Sequence, residues 1–310
     1  MSKILTVLGA TGNQGGSVAN YVVTDPMLSM EYSVRALTRD PQKPESQKLA
    51  SKGMEVLAAD MDDINSLKKA SAGSHSVFSV TTTIYDDETK EREVRQGCAI
   101  ADAAVAAGVK YLIFSTLSSP ALVSRGKYKN AVHFDSKYEV EQYIRTLPIK
   151  SAFFAPGTFM QNFTGEMSPR PAGDGTYALN NIVTPETTWP MIDITDTGKF
   201  VAAILTEPEK FQGKTLSAAT KLYTTEELVK IISQVTGKTV KYNQIPTDVF
   251  KRFLPPAAAD NLAEMLLYIQ DFGYFGPDTR QKVDWTAKVA KGKLTTFEEF
   301  ISKSPPQGMQ

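Results

Sequence analysis

Ile4-Leu5-Thr6-Val7-Leu8-Gly9-Ala10-Thr11-Gly12-Asn13-Gln14-Gly15-Gly16 is the stretch whose reading decides the fold of this chain. An apolar, β-rich run breaks at a glycine, and Val18, Tyr21 and Val22 then recur at helical spacing. Strand, glycine turn and helix, in that order, open a dinucleotide-binding unit. Gly9, Gly12 and Gly15 stand three residues apart. Gly9 permits the sharp turn off the strand. Gly12 lets the backbone approach a pyrophosphate, and Gly15, backed by Gly16, lets the helix lie close to the sheet. Around Thr11, Asn13 and Gln14 the loop would turn its main-chain N–H groups, and the positive end of the helix dipole, toward phosphate oxygens. A structural glycine turn in some other α/β protein would look the same, so the flanking pattern has to decide.

Working outward, Tyr32 to Arg39 alternates apolar and polar residues as a second strand and stops at Asp40-Pro41. NAD sites carry an acid at the end of this strand to bind the ribose hydroxyls. Here Thr38 and Arg39 hold that place, with Asp40 one step beyond. A guanidinium fork suits a phosphate, so NADP(H) is preferred over NAD(H); the plain alternative is an exposed arginine after a strand. Met54 to Ala59 is a third strand ending in Asp60-Met61-Asp62-Asp63. Asp60 and Met61 fall beside an adenine, and Asp62 or Asp63 caps the helix through Leu67. Without further ligands at fixed spacing, these acids make no metal site. A fourth strand, Ser76 to Val80, runs into Thr81-Thr82-Thr83 at the carboxyl edge of the sheet, where small hydroxyl side chains can line a nicotinamide-side cavity. Asp86 to Arg95 is charge-dense and reads as a solvated loop and helix start. The helix continues through the alanine-rich Ala101 to Ala107 and stops at Gly108. Tyr111 to Thr116 is the fifth strand; Lys150 to Ala155 is the sixth, ending at Pro156-Gly157-Thr158-Phe159.

Strands and helices alternating at this interval specify an α/β fold: a Rossmann-type, doubly wound parallel sheet with right-handed crossovers, joined to a smaller C-terminal α/β lobe. The expected division is a nucleotide-binding domain over 1–160, with contributions from about 190–220, and a discontinuous substrate or partner lobe within 161–310. Residues 164–190, rich in proline and glycine, read as loops and short strands over the sheet's edge. Thr195 or Asp196 caps a helix carrying Phe200, Val201, Ile204 and Leu205. Thr224-Thr225-Glu226-Glu227 is a capping box, and Thr296-Phe297-Glu298-Glu299 caps a last helix. Between them come a strand near Thr239 to Ile245 and a helix between Asp260 and Asp271.

Composition narrows the field. The 310 residues balance 34 Lys+Arg against 34 Asp+Glu, which argues against direct nucleic-acid or membrane-surface binding. The single cysteine, Cys98, excludes an internal disulfide and reads as a small core residue inside a helix. Two histidines, His75 and His133, are too few for a multi-histidine metal centre. No apolar run is long enough for a bilayer, and a strand that begins by residue 4 leaves no room for a signal peptide. A cytoplasmic protein is expected; later relocation to a nucleus would leave no mark in the sequence.

Ser115 at a strand end and Lys137 on a helix through Val140, Tyr143 and Ile144 invite comparison with short-chain dehydrogenases. Those enzymes pair a tyrosine with a lysine four residues later, which lowers the phenol's pKa. None of the 12 tyrosines here has a lysine at that spacing. Four residues before Lys137 stands His133, which could relay a proton or simply pack and bond near the helix start. Lys137 could hold the ribose or a substrate carbonyl, or be a solvated lysine.

Taken together, Gly9 to Gly16, Thr38-Arg39-Asp40-Pro41, and His133-Phe134-Asp135-Ser136-Lys137 followed by Glu139-Val140-Glu141 resemble the NmrA-like family over nearly the whole chain. These are atypical members of the extended short-chain dehydrogenase superfamily. The resemblance implies a Rossmann domain with a small C-terminal lobe, NADP preference at Arg39, and a cofactor lined by Lys137 and Pro156 to Phe159. Some such proteins lack the catalytic tyrosine and act as redox sensors that bind partner proteins according to nucleotide state. Others, isoflavone-type and quinone reductases, keep a catalytic lysine and reduce small molecules. Two readings therefore stay open: an NADP(H)-binding regulator, or an NADPH-dependent reductase of a quinone, enone or carbonyl compound using Lys137, alone or with His133. A scaffold with a vestigial nucleotide loop is a third, in which Arg39 has no task.

Overall fold

Strands β1 (Lys3–Val7), β2 (Tyr32–Thr38), β3 (Glu55–Ala58), β4 (Ser76–Ser79), β5 (Tyr111–Ser115) and β6 (Lys150–Pro156) alternate with helices, as the apolar runs predict. The structure is a computed structural model and describes residues 2–309. Further along come β7 (Thr158–Phe159), β8 (Arg170–Pro171), β9 (Tyr177–Asn181) and β10 (Thr188–Ile192), then β11 (Thr215–Ala218), β12 (Lys221–Thr224) and β13 (Val240–Gln244). The main sheet has seven strands in the order β11-β6-β5-β4-β1-β2-β3, all paired in parallel. The order reverses between β1 and β4, and in doubly wound sheets ligands bind at that crevice beyond the strands' carboxyl ends.

Every residue of β4 and β5 is buried, as expected where helices cover both faces of a parallel sheet. One face packs Val18, Val22, Phe200 and Ile204 over Leu5, Val7 and Phe154. The other packs Ile100, Ala104, Val140 and Ile144 over Val77, Leu112 and Phe153. A third apolar cluster, around Trp189, Tyr223, Ile232, Tyr268 and Phe297, lies in the later part of the chain. It includes residues of the two small sheets, β12-β10-β7 and β13-β9-β8. Residues 164–190 thus supply strands to two small sheets, and their core reaches Leu117 and Ala155 at the main sheet's carboxyl edge.

Two crossover helices set the working geometry. Thr89–Ala106 and Val132–Thr146 both run from the carboxyl edge of the sheet back to its amino edge, side by side. A Cβ at Gly97 would stand 2.5 Å from a methyl of Val140, so only glycine allows this approach. One turn earlier on each helix, the same packing brings Glu93 to Ser136 and Lys137.

Several local expectations needed correction. The sequence reading lacks the main sheet's seventh strand, β11, whose four residues pair with β6 from far along the chain. A helix over Thr279–Val289 was also missed; it opens on Asp278 at φ 64° with no side-chain cap, so it lacks the usual start signal. The helix expected between Asp260 and Asp271 starts earlier, at Pro256, with proline in its first turn. Neither Thr195 nor Asp196 caps the helix Thr197–Thr206 through its side chain. Asp196 pairs instead with Lys199 at 2.6 Å and accepts from the Thr295 amide at 2.7 Å. Cys98 lies within its helix but is only half-buried. The capping boxes at Thr224 and Thr296 form as read.

Gly97→Ala should lower stability by about 1–3 kcal/mol, the cost of overpacking, despite alanine's better helix propensity. Combined with Val140→Ala, which opens the space, it should cost less than the sum of the two single changes. Denaturant unfolding of the three variants measures this; strictly additive losses would mean that the two residues do not press on each other.

Candidate functional site

β1 ends in the glycine turn. Gly9 takes φ 65°, and a Cβ on Gly15 would lie 2.6 Å from the Gly9 carbonyl carbon and 2.7 Å from the Leu8 oxygen. The first helix, Asn13–Thr24, therefore sits directly against the strand. Its N-cap residue, Gly12, supplies no side-chain cap, and the amides of Asn13, Gln14 and Gly15 have no acceptor among the described residues. Thr11, Gly12 and Asn13 line a groove of about 560 Å³ that continues between this helix and Lys48 and Lys52. Ser115, at the end of β5, donates to Gln14 Oε1 at 2.8 Å and ties the turn to the neighbouring strand. Two buried hydroxyls beside the carboxyl edge, Ser79 and Thr158, have no partner among the described residues. Free amides, a dipole end and unpaired hydroxyls suit a phosphorylated ligand. A larger hollow of about 640 Å³ lies at the sheet's amino edge, lined by Lys3, Tyr32, His75 and Lys150, on the far side from these groups.

Where the adenosine was expected, Arg39 is exposed just past β2 and makes no ion pair or hydrogen bond among the described residues. Its neighbour Asp40 is occupied: its carboxylate accepts the Gln42 amide at 2.9 Å and shapes the turn. Asp60 is exposed beyond β3, with Met61 half-buried beside it. Of the two candidate caps, Asp63 does the work, accepting the Asn65 amide at 2.9 Å. Asp62 reaches Arg95 and Gln96 instead. No group of acids, histidines or cysteines among the described residues could hold a metal ion.

The nicotinamide end was expected around Thr81 to Thr83 and Lys137. Lys137 is no solvated lysine: it is 8% exposed. Its Nζ is ion-paired with Glu93 Oε1 and donates to Thr83 Oγ1 at 3.0 Å. Thr81 donates to Glu93 Oε1 at 2.8 Å, and Ser136 donates to Oε2 at 2.6 Å. Thr82 points to solvent and stays outside the cluster. Thr116, after β5, donates to the Lys137 carbonyl at 3.3 Å and fixes the helix over the sheet's edge. Burial pulls the Glu93 carboxyl upward, but the Lys137 charge and the hydroxyl donors together hold it below its ordinary value. Burial draws Lys137 below an ordinary lysine, against the pull of that carboxylate.

His133 belongs to the same helix face. It is buried, its Nδ1 bonded to Asn261 Oδ1 on the helix Pro256–Phe272. Its ring packs edge-on to Tyr85 and Phe134. Burial, with Lys137 nearby, pushes the imidazole down to about 4. At pH 7 it is neutral and carries no second proton to relay. The Pro156 to Phe159 segment turns off β6, with the Gly157 amide bonded to Ala218 O at 2.8 Å, and passes into β7.

Glu93 and Tyr85 were not foreseen. Glu93 lies in the charge-dense stretch read as solvated, yet it is 1% exposed. A signal existed: Thr89, Glu93, Gly97, Ile100 and Ala104 share one helix face, and the rest of that stripe is small or apolar. Tyr85 follows on the loop after β4, its ring edge-on to His133. Burial, with Glu93 nearby, pushes its hydroxyl up to about 12, the opposite of the shift that primes a catalytic tyrosine.

Comparison with known proteins places this architecture. An NmrA-like family domain-containing protein of Dictyostelium discoideum is 32% identical and is matched over 98% of each chain. Among solved structures, NmrA, a negative transcriptional regulator in complex with NAD, shares 20% identity over 97% of this chain and 95% of its own, with a TM-score of 0.82. The triphenylmethane reductase of Citrobacter sp., complexed with NADP(H), shares 22% identity over 97% and 99%, with a TM-score of 0.78. No helix among the described residues is long and apolar enough to cross a membrane. The NmrA-like family model matches residues 1–301, and the chain belongs to that family.

Proposed function

We propose that this protein binds NADP(H) and acts as a regulator whose interactions follow the nucleotide's state. The pyrophosphate would sit on the amides of Asn13 to Gly15, within the Gly9 to Gly15 turn. Arg39 would take the 2′-phosphate, and Asp60 and Met61 would flank the adenine. Thr81 to Thr83, Lys137 and Pro156 to Phe159 would line the nicotinamide half. Residues 1–160, with about 190–220, would form the cofactor unit, leaving the remainder of 161–310 for a partner protein or a substrate. The observation that carries the reading is an uncapped phosphate turn combined with an arginine that has no ion partner among the described residues. Regulation is favoured over turnover because no tyrosine stands four before a lysine, Tyr85 stays a phenol, and His133 is neutral.

A second reading has its own observation: the buried ammonium of Lys137 at the carboxyl edge of the sheet. Such a group can donate to a developing oxyanion. It supports an NADPH-dependent reductase of a quinone, enone or carbonyl compound. The structural neighbours include a regulator and a reductase, so the fold alone admits both.

Arg39→Ala should weaken NADPH binding by about ten- to a hundredfold, the loss of one charge-assisted hydrogen bond, and leave NADH unchanged. Calorimetry with both cofactors decides; equal affinity of the parent protein for NADPH and NADH would end the NADP preference. For the second reading, NADPH consumption is followed over a panel of quinones, enones and carbonyls. Silence throughout keeps the regulator. Turnover that Lys137→Met cuts by about a hundredfold or more, the scale of lost proton transfer, would replace it, provided NADPH still binds.

A further inference from the structure

We infer that Glu93 is a positioning residue: its buried carboxylate, braced by Thr81 and Ser136, keeps Lys137 an ammonium and directs the one N–H its protein partners leave over toward the cleft.

An ammonium has three protons and no acceptor, and a carboxylate has about four lone-pair sites. Glu93 fills them with Lys137, Thr81 and Ser136, and with Thr83 at 3.3 and 3.4 Å. A carboxylate so fully engaged cannot rotate to free one oxygen without breaking a bond inside the protein. Lys137 spends one proton on Glu93 and one on Thr83, and its third has no acceptor among the described residues. The cluster lies at the carboxyl edge: Thr81 and Thr83 follow β4, and Thr116, beyond β5, anchors the Lys137 carbonyl. Thr83 is only half-buried, so the cluster is not sealed from solvent. The other titratable groups near this pair are His133, on the same helix, and Tyr85, on the loop after β4. The first is neutral and the second protonated at pH 7, so Glu93 is the charge that opposes burial of Lys137. Asp135 faces away, toward Ser119 and the Ala121 amide.

The hold on Lys137 stands on the ion pair alone; the direction of its free N–H rests on the cofactor reading. Two measurements on the full chain keep these apart. The first is nitrogen NMR of 15N-lysine-labelled protein, with the Lys137 side-chain signal identified by its loss in Lys137→Arg. In Glu93→Gln the Lys137 titration midpoint should fall by about one pH unit or more, since burial then acts unopposed. Glu93→Asp should restore part of the shift. An unchanged midpoint in a Glu93→Gln protein that still melts cooperatively would overturn the inference. If the glutamine variant does not fold, Glu93→Asp carries the same test, with a smaller fall expected and an unchanged midpoint again fatal.

The second measurement is NADPH titration from pH 6 to pH 9. The parent should bind with nearly constant affinity, and the glutamine variant should lose at least threefold as Lys137 deprotonates. Parallel curves would overturn the direction assigned to the free N–H. Absence of NADPH binding in the parent would instead sink the cofactor reading, while the NMR result still decides the role of Glu93.

Discussion

The ion pair between Glu93 and Lys137 is the most demanding contact in this protein. Removing both charges from water costs several kcal/mol each, and their attraction offsets that only where every remaining lone pair is satisfied. Thr81, Thr83 and Ser136 meet that condition. An apolar pair of similar volume would often be as stable or more so, so stability alone is a poor reason for the cluster. Its position at the carboxyl edge of the sheet, where the glycine turn also lies, gives a better one.

The pair constrains much of what surrounds it. Glu93 and Lys137 come from different crossover helices and can meet only if those helices nearly touch. Gly97 against Val140 allows that. The helices share a direction because each leaves the carboxyl end of one strand and returns to the amino end of the next. Equal steps back along both, from 97 to 93 and from 140 to 136, land on the polar cluster. Backbone proximity set by a missing side chain is thus converted into placement of a charge. The glycine turn uses the same device at Gly15, where the absent side chain brings the first helix's free amides down to the end of β1.

What the sequence disclosed follows the range of the interactions involved. The phosphate turn, the first six strands and both capping boxes are written within a dozen residues each, and they were readable. Lys137 was visible as a candidate but not as a buried one, because its burial depends on a helix some forty residues earlier. Glu93 was misread for the same reason: amid Asp86, Asp87, Glu88, Arg92 and Arg95, local composition speaks for solvent, and only the stripe shared with Gly97 and Ile100 speaks for the interior. Neither role open to His133, a proton relay or local bonding near the helix start, pointed to its partner, Asn261, on a helix more than a hundred residues away. β11 was lost because its pairing with β6 spans sixty residues and leaves no local pattern.

That late-arriving strand has a bearing on how the chain can be divided. β11 lies on the outer side of β6, and the helix Thr197–Thr206, which also comes after residue 160, places Phe200 against Phe154. A polypeptide cut near residue 160 would keep the phosphate turn and the buried ion pair, yet present β6 as a bare margin with Phe154 uncovered. Unpaired margins of that kind recruit other chains. A shortened version made to isolate nucleotide binding would therefore be prone to clump, whereas one that runs on past Ala218 retains its own selvedge.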